Sequence, residues 1–198
     1  MSMISDIRPA IVSTVLFTAL LGVAYPLAIT AVAEVAFPFQ AQGSLVHDAR
    51  GRVVGSALIA QPFATDEYLH PRPSAAGAAG YDATGSSGSN YGPLNPDLAK
   101  RVKTDAAALR ASTGRTEIPD DAITTSGSGL DPDISPAYAQ LQVSRIAQAR
   151  GAPLSAVRRL IDVHTDHPLL GFIGQPHVNV LMTNRALDSA IPKSTPKT

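Results

Sequence analysis

Across residues 9–33 the chain carries no charged side chain, and residues 11–32, IVSTVLFTALLGVAYPLAITAV, are almost wholly aliphatic. About 20 apolar residues suffice to cross a hydrocarbon core, so this pattern predicts one membrane-spanning helix. No other stretch matches it in length. Pro26 falls in its last third, where a membrane helix tolerates a kink. A cleaved leader is the competing reading, because Ala31, Val32 and Ala33 before Glu34 have the small side chains of a cleavage site. The apolar run is about twice the length of a leader's core, which favours an uncleaved anchor.

Beyond the apolar run the pattern changes several times. Residues 44–46 and 52–59 are short aliphatic and β-branched runs on either side of Asp48, Ala49, Arg50 and Gly51, which predicts a hairpin. From 62 to 96 periodicity vanishes, and Gly, Ser, Pro, Asn and Ala dominate. So long a segment without regular structure is uncommon in a compact domain unless it is functional or disordered. Tyr68, Tyr81 and Tyr91 are spread through it, which predicts an ordered loop docked on the rest of the domain. Three helices follow. The first is capped by Asn95, carries Leu98, Val102 and Leu109 as its stripe, and stops at Gly114. The second opens at Ser135 and Pro136, buries Ala139, Val143 and Ile146, and ends at Gly151. The third opens at Pro153 with Val157, Leu160, Ile161 and His164 on one side. Residues 178–187 are apolar and read as helix or strand, and the polar tail 192–198 is expected to be loose. The organisation predicted is a cytoplasmic tip and single transmembrane helix over 1–34, followed by an α/β (mixed α+β) domain over 35–198.

Charge adds a direction to this plan. The chain has 16 basic and 16 acidic residues and a formal net charge of zero, which argues against a dedicated nucleic-acid binder. Arg8 precedes the apolar run, and no Lys or Arg follows it before Arg50. That asymmetry predicts a cytoplasmic N-terminus and an extracytoplasmic domain, single-pass in the cell's inner membrane. The absence of cysteine rules out a disulfide framework and thiolate metal ligation.

Little in the sequence points to chemistry. There is no phosphate-cradling G-x-x-x-x-G-K-[ST] loop and no G-x-S-x-G elbow. His164 and His167 straddle a predicted helix end, so they read as capping or surface residues and not as a metal pair. Residues 142–161 place Ala147, Gly151 and Val157 where a helix-turn-helix places small, turn and core residues, with Arg158 and Arg159 free to face a nucleic acid. A membrane-anchored DNA-binding regulator is therefore the alternative function, and an anchored enzyme using Asp131, Asp133 or His164 is a third. Two Gly/Ser loops, 85–96 and 126–136, each run into a predicted helix N-terminus. Such amides can hold an anion, although Gly, Ser, Asn and Pro before a helix are also ordinary turn and cap residues.

Several stretches in order along the chain resemble the KdpC family, the C subunit of the prokaryotic potassium-transporting Kdp ATPase. They are Arg72-Pro73-Ser74-Ala75, Gly88-Ser89-Asn90-Tyr91-Gly92-Pro93-Leu94-Asn95-Pro96, Ser126-Gly127-Ser128-Gly129-Leu130-Asp131-Pro132, Ile134-Ser135-Pro136, Ala149-Arg150-Gly151, Leu170-Gly171-Phe172 and Val178-Asn179-Val180-Leu181. Asp133 stands where that family usually has His, and Tyr91 where it usually has an aliphatic residue. The resemblance implies a non-catalytic subunit of a high-affinity potassium-uptake complex. Its partners would be a potassium-channel-like subunit, a P-type ATPase subunit and the lipid bilayer, with no nucleic acid. It implies no cofactor of its own, with ATP reached through the ATPase subunit, whose ATP affinity such proteins are described as raising. Were the domain to touch ATP, Ser89, Asn90, Ser128 and Gln142 are the candidates. An exterior domain, with no Lys in either loop, instead predicts rigid docking loops and weak or absent ATP binding. On that reading Gly129→Val would disturb assembly more than the fold.

Overall fold

The computed structural model describes residues 3–191; the tail 192–198, expected to be loose, lies outside them. The chain divides into two compact units, Met1–Val54 and Gly55–Thr198.

In the first unit, α1 (Met3–Phe17), a π-helical stretch (Thr18–Ala24) and α2 (Tyr25–Ala36) follow one another without a break. Within them Asp6–Ala36 is a 31-residue run of mean hydropathy 2.1 whose most apolar window has no buried residue. At about 1.5 Å per residue it is roughly 46 Å long, more than enough for a ~30 Å hydrocarbon core. The π stretch has a covalent cause. Pro26 has no N–H for the carbonyl four residues back, and the helix widens by one residue ahead of it, so that the Tyr25 N–H bonds to the Leu20 carbonyl. After the short α3 (Pro38–Ala41), β1 (Leu45–His47) and β2 (Val53–Ser56) form the two-stranded sheet the pattern predicts. Its turn is tied by Asp48, whose Oδ1 accepts the Arg50 and Arg52 N–H groups at 2.8 and 2.9 Å. The second strand is shorter than its apolar run, because the Ser56 hydroxyl accepts the Leu58 N–H at 3.1 Å and turns the chain.

The second unit contains α4 (Pro96–Thr113), α5 (Pro136–Arg150), α6 (Leu154–Val163) and α7 (Val180–Ala190) with β3 (Asp133–Ile134), β4 (Thr165–Asp166) and β5 (His177–Asn179). The caps read from sequence are in place. Asn95 Oδ1 accepts the Asp97 N–H at 2.8 Å, and Ser135 Oγ accepts the Tyr138 N–H at 3.0 Å. Gly114 and Gly151 end their helices at φ +67° and +62°. Residues 178–187 are both strand and helix: Asn179 is the last residue of β5, and its side chain caps α7 by accepting the Met182 N–H at 3.1 Å. The strands form an antiparallel sheet in the order β3-β5-β4, with Ile134 and Thr165 both opposite Val178.

One core joins these elements. Val143, Ile146, Val157, Ile161, Val178 and Leu187 are all buried in it, together with Leu69 from the non-periodic segment. Of the stripe predicted for α4, Val102 and Leu109 pack at the core margin and Leu98 stays half exposed; Ala106 is the buried member. The Gly-turn pattern of 142–161 is two helices packed into this core: Ala147 and Val157 are buried, Arg158 and Arg159 exposed.

Candidate functional site

Residues 65–72 have no ladder of their own, yet every one of their carbonyls accepts a side-chain hydrogen bond. Arg145, on α5, donates to the carbonyls of Asp66 (2.6 Å) and Tyr68 (3.0 Å), and Arg150 to that of Glu67 (2.7 Å). Asn184, on α7, clamps Leu69 through both amide atoms, accepting its N–H at 2.7 Å and donating to its carbonyl at 2.9 Å. Gln142 does the same to His70, at 2.8 and 3.1 Å. Tyr138 reaches the Pro71 carbonyl, Tyr81 the Arg72 carbonyl, and the His70 ring contacts the Thr65 carbonyl at 3.0 Å. Two carboxamides thus do for consecutive residues what flanking strands would do. The segment is a strap, ordered because buried backbone groups must be paired.

The strap leads into three loops that lock together. Arg72 forms an ion pair with Asp131 at 2.9 Å. Ser74 Oγ donates to the Gly129 carbonyl at 2.6 Å and accepts the N–H groups of Ala76 and Tyr81. The Ser87 N–H and Ser86 hydroxyl both donate to the Ser128 carbonyl, at 2.9 and 3.0 Å. Gly129 lies at φ +67°, and a Cβ there would stand 2.8 Å from the Ala76 nitrogen and against the Ser87 carbonyl. At Gly88 a Cβ would meet the Gly127 carbonyl at 3.0 Å. These glycines let three backbones touch. The contact bears on the expectation that Gly129→Val would disturb assembly more than the fold, since the space a side chain needs is filled by this chain's own backbone and the fold is then expected to suffer as well.

Burial sets the electrostatics behind the strap. It holds the His70 imidazole below its ordinary pKa, and the Arg145 charge adds to the effect. It also lowers Arg145 and pushes the Tyr138 phenol up to about 12. His70 is therefore neutral at pH 7 and adds no second cation beside Arg145.

The family model described as K+-transporting ATPase, c chain (KdpC) matches residues 7–189. The potassium-transporting ATPase KdpC subunit of Caulobacter sp. strain K31 is 66% identical over 190 residues, 96% of each chain. Those of Beijerinckia indica and Geobacter sulfurreducens are 56% and 49% identical over 196 and 187 residues, spanning 98% and 94% of this chain and 98% and 99% of their own. The chain belongs to the KdpC family. It is a subunit of the potassium-transporting ATPase, a component of a potassium-transport complex, and among the described residues it has one helix long and apolar enough to make a single membrane pass.

KdpC motifs that lie far apart in sequence meet in the second unit: 72–75, the Gly88-Ser89 start of 88–96 and 126–132 lie in the interlocked loops. Of the four candidate nucleotide contacts, Ser89 and Ser128 lie in them. Ser89 Oγ accepts from Thr125 Oγ1 at 3.3 Å, and Ser128 Oγ accepts the Leu130 N–H at 3.1 Å. Asn90 is exposed, at φ +53°. Gln142 is buried on α5, with both amide atoms engaged by His70. The residues singled out as enzyme candidates are also placed. Asp131 pairs with Arg72, and His164 Nδ1 contacts the Leu160 carbonyl at 2.8 Å. Asp133 accepts from Asn179 at 2.9 Å and faces His177 at 3.8 Å; burial raises its pKa, and His177 partly offsets this. Tyr91 lies under the Arg101 guanidinium, 5.6 Å from ring centre to carbon. The strap's anchors Arg145, Arg150 and Asn184 were not candidates from sequence. For Arg150 the signal is a polar residue in apolar register: Ala139, Gln142, Val143, Ile146 and Arg150 share one buried face of α5.

Proposed function

We propose that the chain is the non-catalytic accessory subunit of its pump, with residues 1–34 as cytoplasmic tip and anchor and residues 35–198 on the extracytoplasmic side. There the interlocked loops serve as a preformed docking surface for the channel-like and P-type ATPase subunits. Any gain in the pump's ATP affinity then passes through docking, as in a chaperone that never holds the nucleotide. The observation that carries this reading is the loop interlock. The Ser87 and Gly129 N–H groups already donate to the Ser128 and Ser126 carbonyls, the Leu130 N–H donates to Ser128 Oγ, and both amide atoms of Gln142 engage His70, so these groups are satisfied within the fold. Rigid surfaces lose little entropy on association, which favours preformed loops as contact points.

Two experiments test it. The chain has no cysteine, so Leu94→Cys creates a single label site on a side chain that is 95% exposed. That thiol is expected to react with a membrane-impermeant maleimide added to intact cells; protection until lysis would reverse the orientation. Calorimetry of the detergent-solubilised full chain with ATP is expected to show no saturable heat. Saturable binding at micromolar ATP that Ser89→Ala or Gln142→Ala abolishes, with the melting curve preserved, would restore direct nucleotide contact.

A further inference from the structure

The last turn of α4, the body of α5 and Arg158 of α6 surround a cavity of about 270 Å³, which His70 of the strap also lines. Three arginines line it, Arg115, Arg145 and Arg158, and no carboxylate does. Arg145 spends its guanidinium hydrogen bonds on the strap carbonyls and on Gln142 Oε1 at 2.6 Å, so it gives the cavity fixed charge. Among the described residues, nothing engages the guanidinium of Arg115 or of Arg158. The acids nearest to them in sequence lie elsewhere. Asp162 lines a separate hollow and accepts from Gln140 at 2.8 Å, and Glu117 lines only the groove outside. Like charges gathered around one hollow raise the local concentration of counter-ions. The field is already felt within the wall, where the Arg145 charge adds to burial in holding His70 below its ordinary pKa.

We propose that this cavity is a binding site for a free, small oxyanion of the phosphate or sulfate type, held by Arg115 and Arg158 with Arg145 as fixed charge behind them. The planar guanidinium fork matches the spacing of oxyanion oxygens and stays charged at every working pH. Ser144 and Gln148, also in the wall, add neutral donors. Size narrows the ligand. Drug-sized molecules occupy about 300–1,000 Å³, so the smaller volume here, with Glu117 in the groove beyond it, selects against a nucleotide triphosphate. The C-terminal end of α4 has the opposing sign, but its carbonyls are covered. The Ser112 and Thr113 hydroxyls both donate to the Leu109 carbonyl, at 3.2 and 2.6 Å, and the Gly114 N–H donates to the Arg110 carbonyl at 2.9 Å. All of these residues belong to the second unit, so the site is independent of which side of the membrane that unit occupies.

The test is calorimetry of the full chain in neutral detergent, titrated at constant ionic strength with inorganic phosphate and, separately, with sulfate. Saturable binding is expected, with a Kd below about 1 mM. Arg115→Gln and Arg158→Gln are each expected to weaken it about tenfold, the scale of one hydrogen bond to a charged group. Both residues are exposed, and melting curves verify that the variants fold. Arg159→Gln removes an exposed neighbouring charge that does not line the cavity, and is expected to leave binding unchanged. No saturable heat with either anion overturns the inference. So does an equal loss in Arg159→Gln, which would mark a diffuse effect of surface charge. Displacement of phosphate by equimolar ATP, or by phosphatidylglycerol mixed into the micelles, would assign the cavity to a phosphate carried on a larger molecule and overturn the free-anion assignment.

Discussion

Gly129→Val is expected to lower the stability of the second unit by about 4 kcal/mol, the sum of backbone strain and overpacking, each worth ~1–3 kcal/mol. The strain arises because φ is +67°, where a β-branched residue is poorly accommodated. The overpacking arises because a Cβ would meet the Ala76 nitrogen at 2.8 Å and press on the Ser87 carbonyl. Neither neighbour is a flexible side-chain end that can swing away. Both belong to the interlocked loops, so relief requires Ser87 to leave the Ser128 carbonyl. Gly151 supplies the comparison, since its φ is +62° but nothing lies within 4 Å of a Cβ there. Gly151→Ala is therefore expected to cost only the left-handed penalty, about 1–2 kcal/mol. Melting curves of the two full-length variants, with recovery of the pump subunits on the same samples, check this. Equal losses at the two glycines would show that the interlock contributes nothing to stability. A Gly129→Val protein that melts normally but fails to recover its partners would show that the loop acts only in docking.

Arg150→Ala is expected to be nearly as costly, about 3–5 kcal/mol, because it removes three hydrogen bonds and the packing of a fully buried side chain at once. The Arg150 side chain is 0% exposed. Its guanidinium donates to the Glu67 carbonyl at 2.7 Å, the Ile191 carbonyl at 2.6 Å and Asp188 Oδ1 at 2.9 Å. It also lies 5.2 Å from the Tyr68 ring centre, and the Tyr68 hydroxyl donates to the other Asp188 oxygen at 2.8 Å. One residue thus fastens the strap, the end of α7 and an aromatic ring. Arg150→Lys keeps the charge but loses the planar fork, so an intermediate loss is expected. Asp188→Asn should cost less than Arg150→Ala, because Asp188 is 44% exposed and water can replace its contact. Denaturation midpoints of the three variants give the ranking. Arg150→Ala within ~0.5 kcal/mol of the parent, the range of an ordinary surface substitution, would show that the strap is held without it.

The two predictions concern features that differ in how far they can be read from sequence. The helices of the second unit were legible because their signals are local. Asn95 and Ser135 cap through their own side chains, Gly114 and Gly151 end helices by adopting a left-handed φ, and the apolar spacing selects the buried face of each helix. The strap was legible only as an ordered segment of unknown shape. Its order comes from Gln142 and Asn184, which are 72 and 115 residues away from the backbone they clamp. No pattern within 62–96 records those partners.

By itself the sequence determined the apolar span, the boundaries of the later helices, the position of the hairpin turn and the family. All of these rest on hydrophobic period, capping chemistry or motif order, which neighbours in the chain impose on one another. Tertiary structure decided the rest. It made residues 178–187 a strand and then a helix, because β5 pairs with β3 and β4 before Asn179 caps α7. It made Gln142 a clamp on His70 and Gly129 the point where three loops touch. The physical reason is the same in each case: a buried polar group or a missing Cβ takes its meaning from what lies across the fold, and that neighbour is set by packing over long sequence separations.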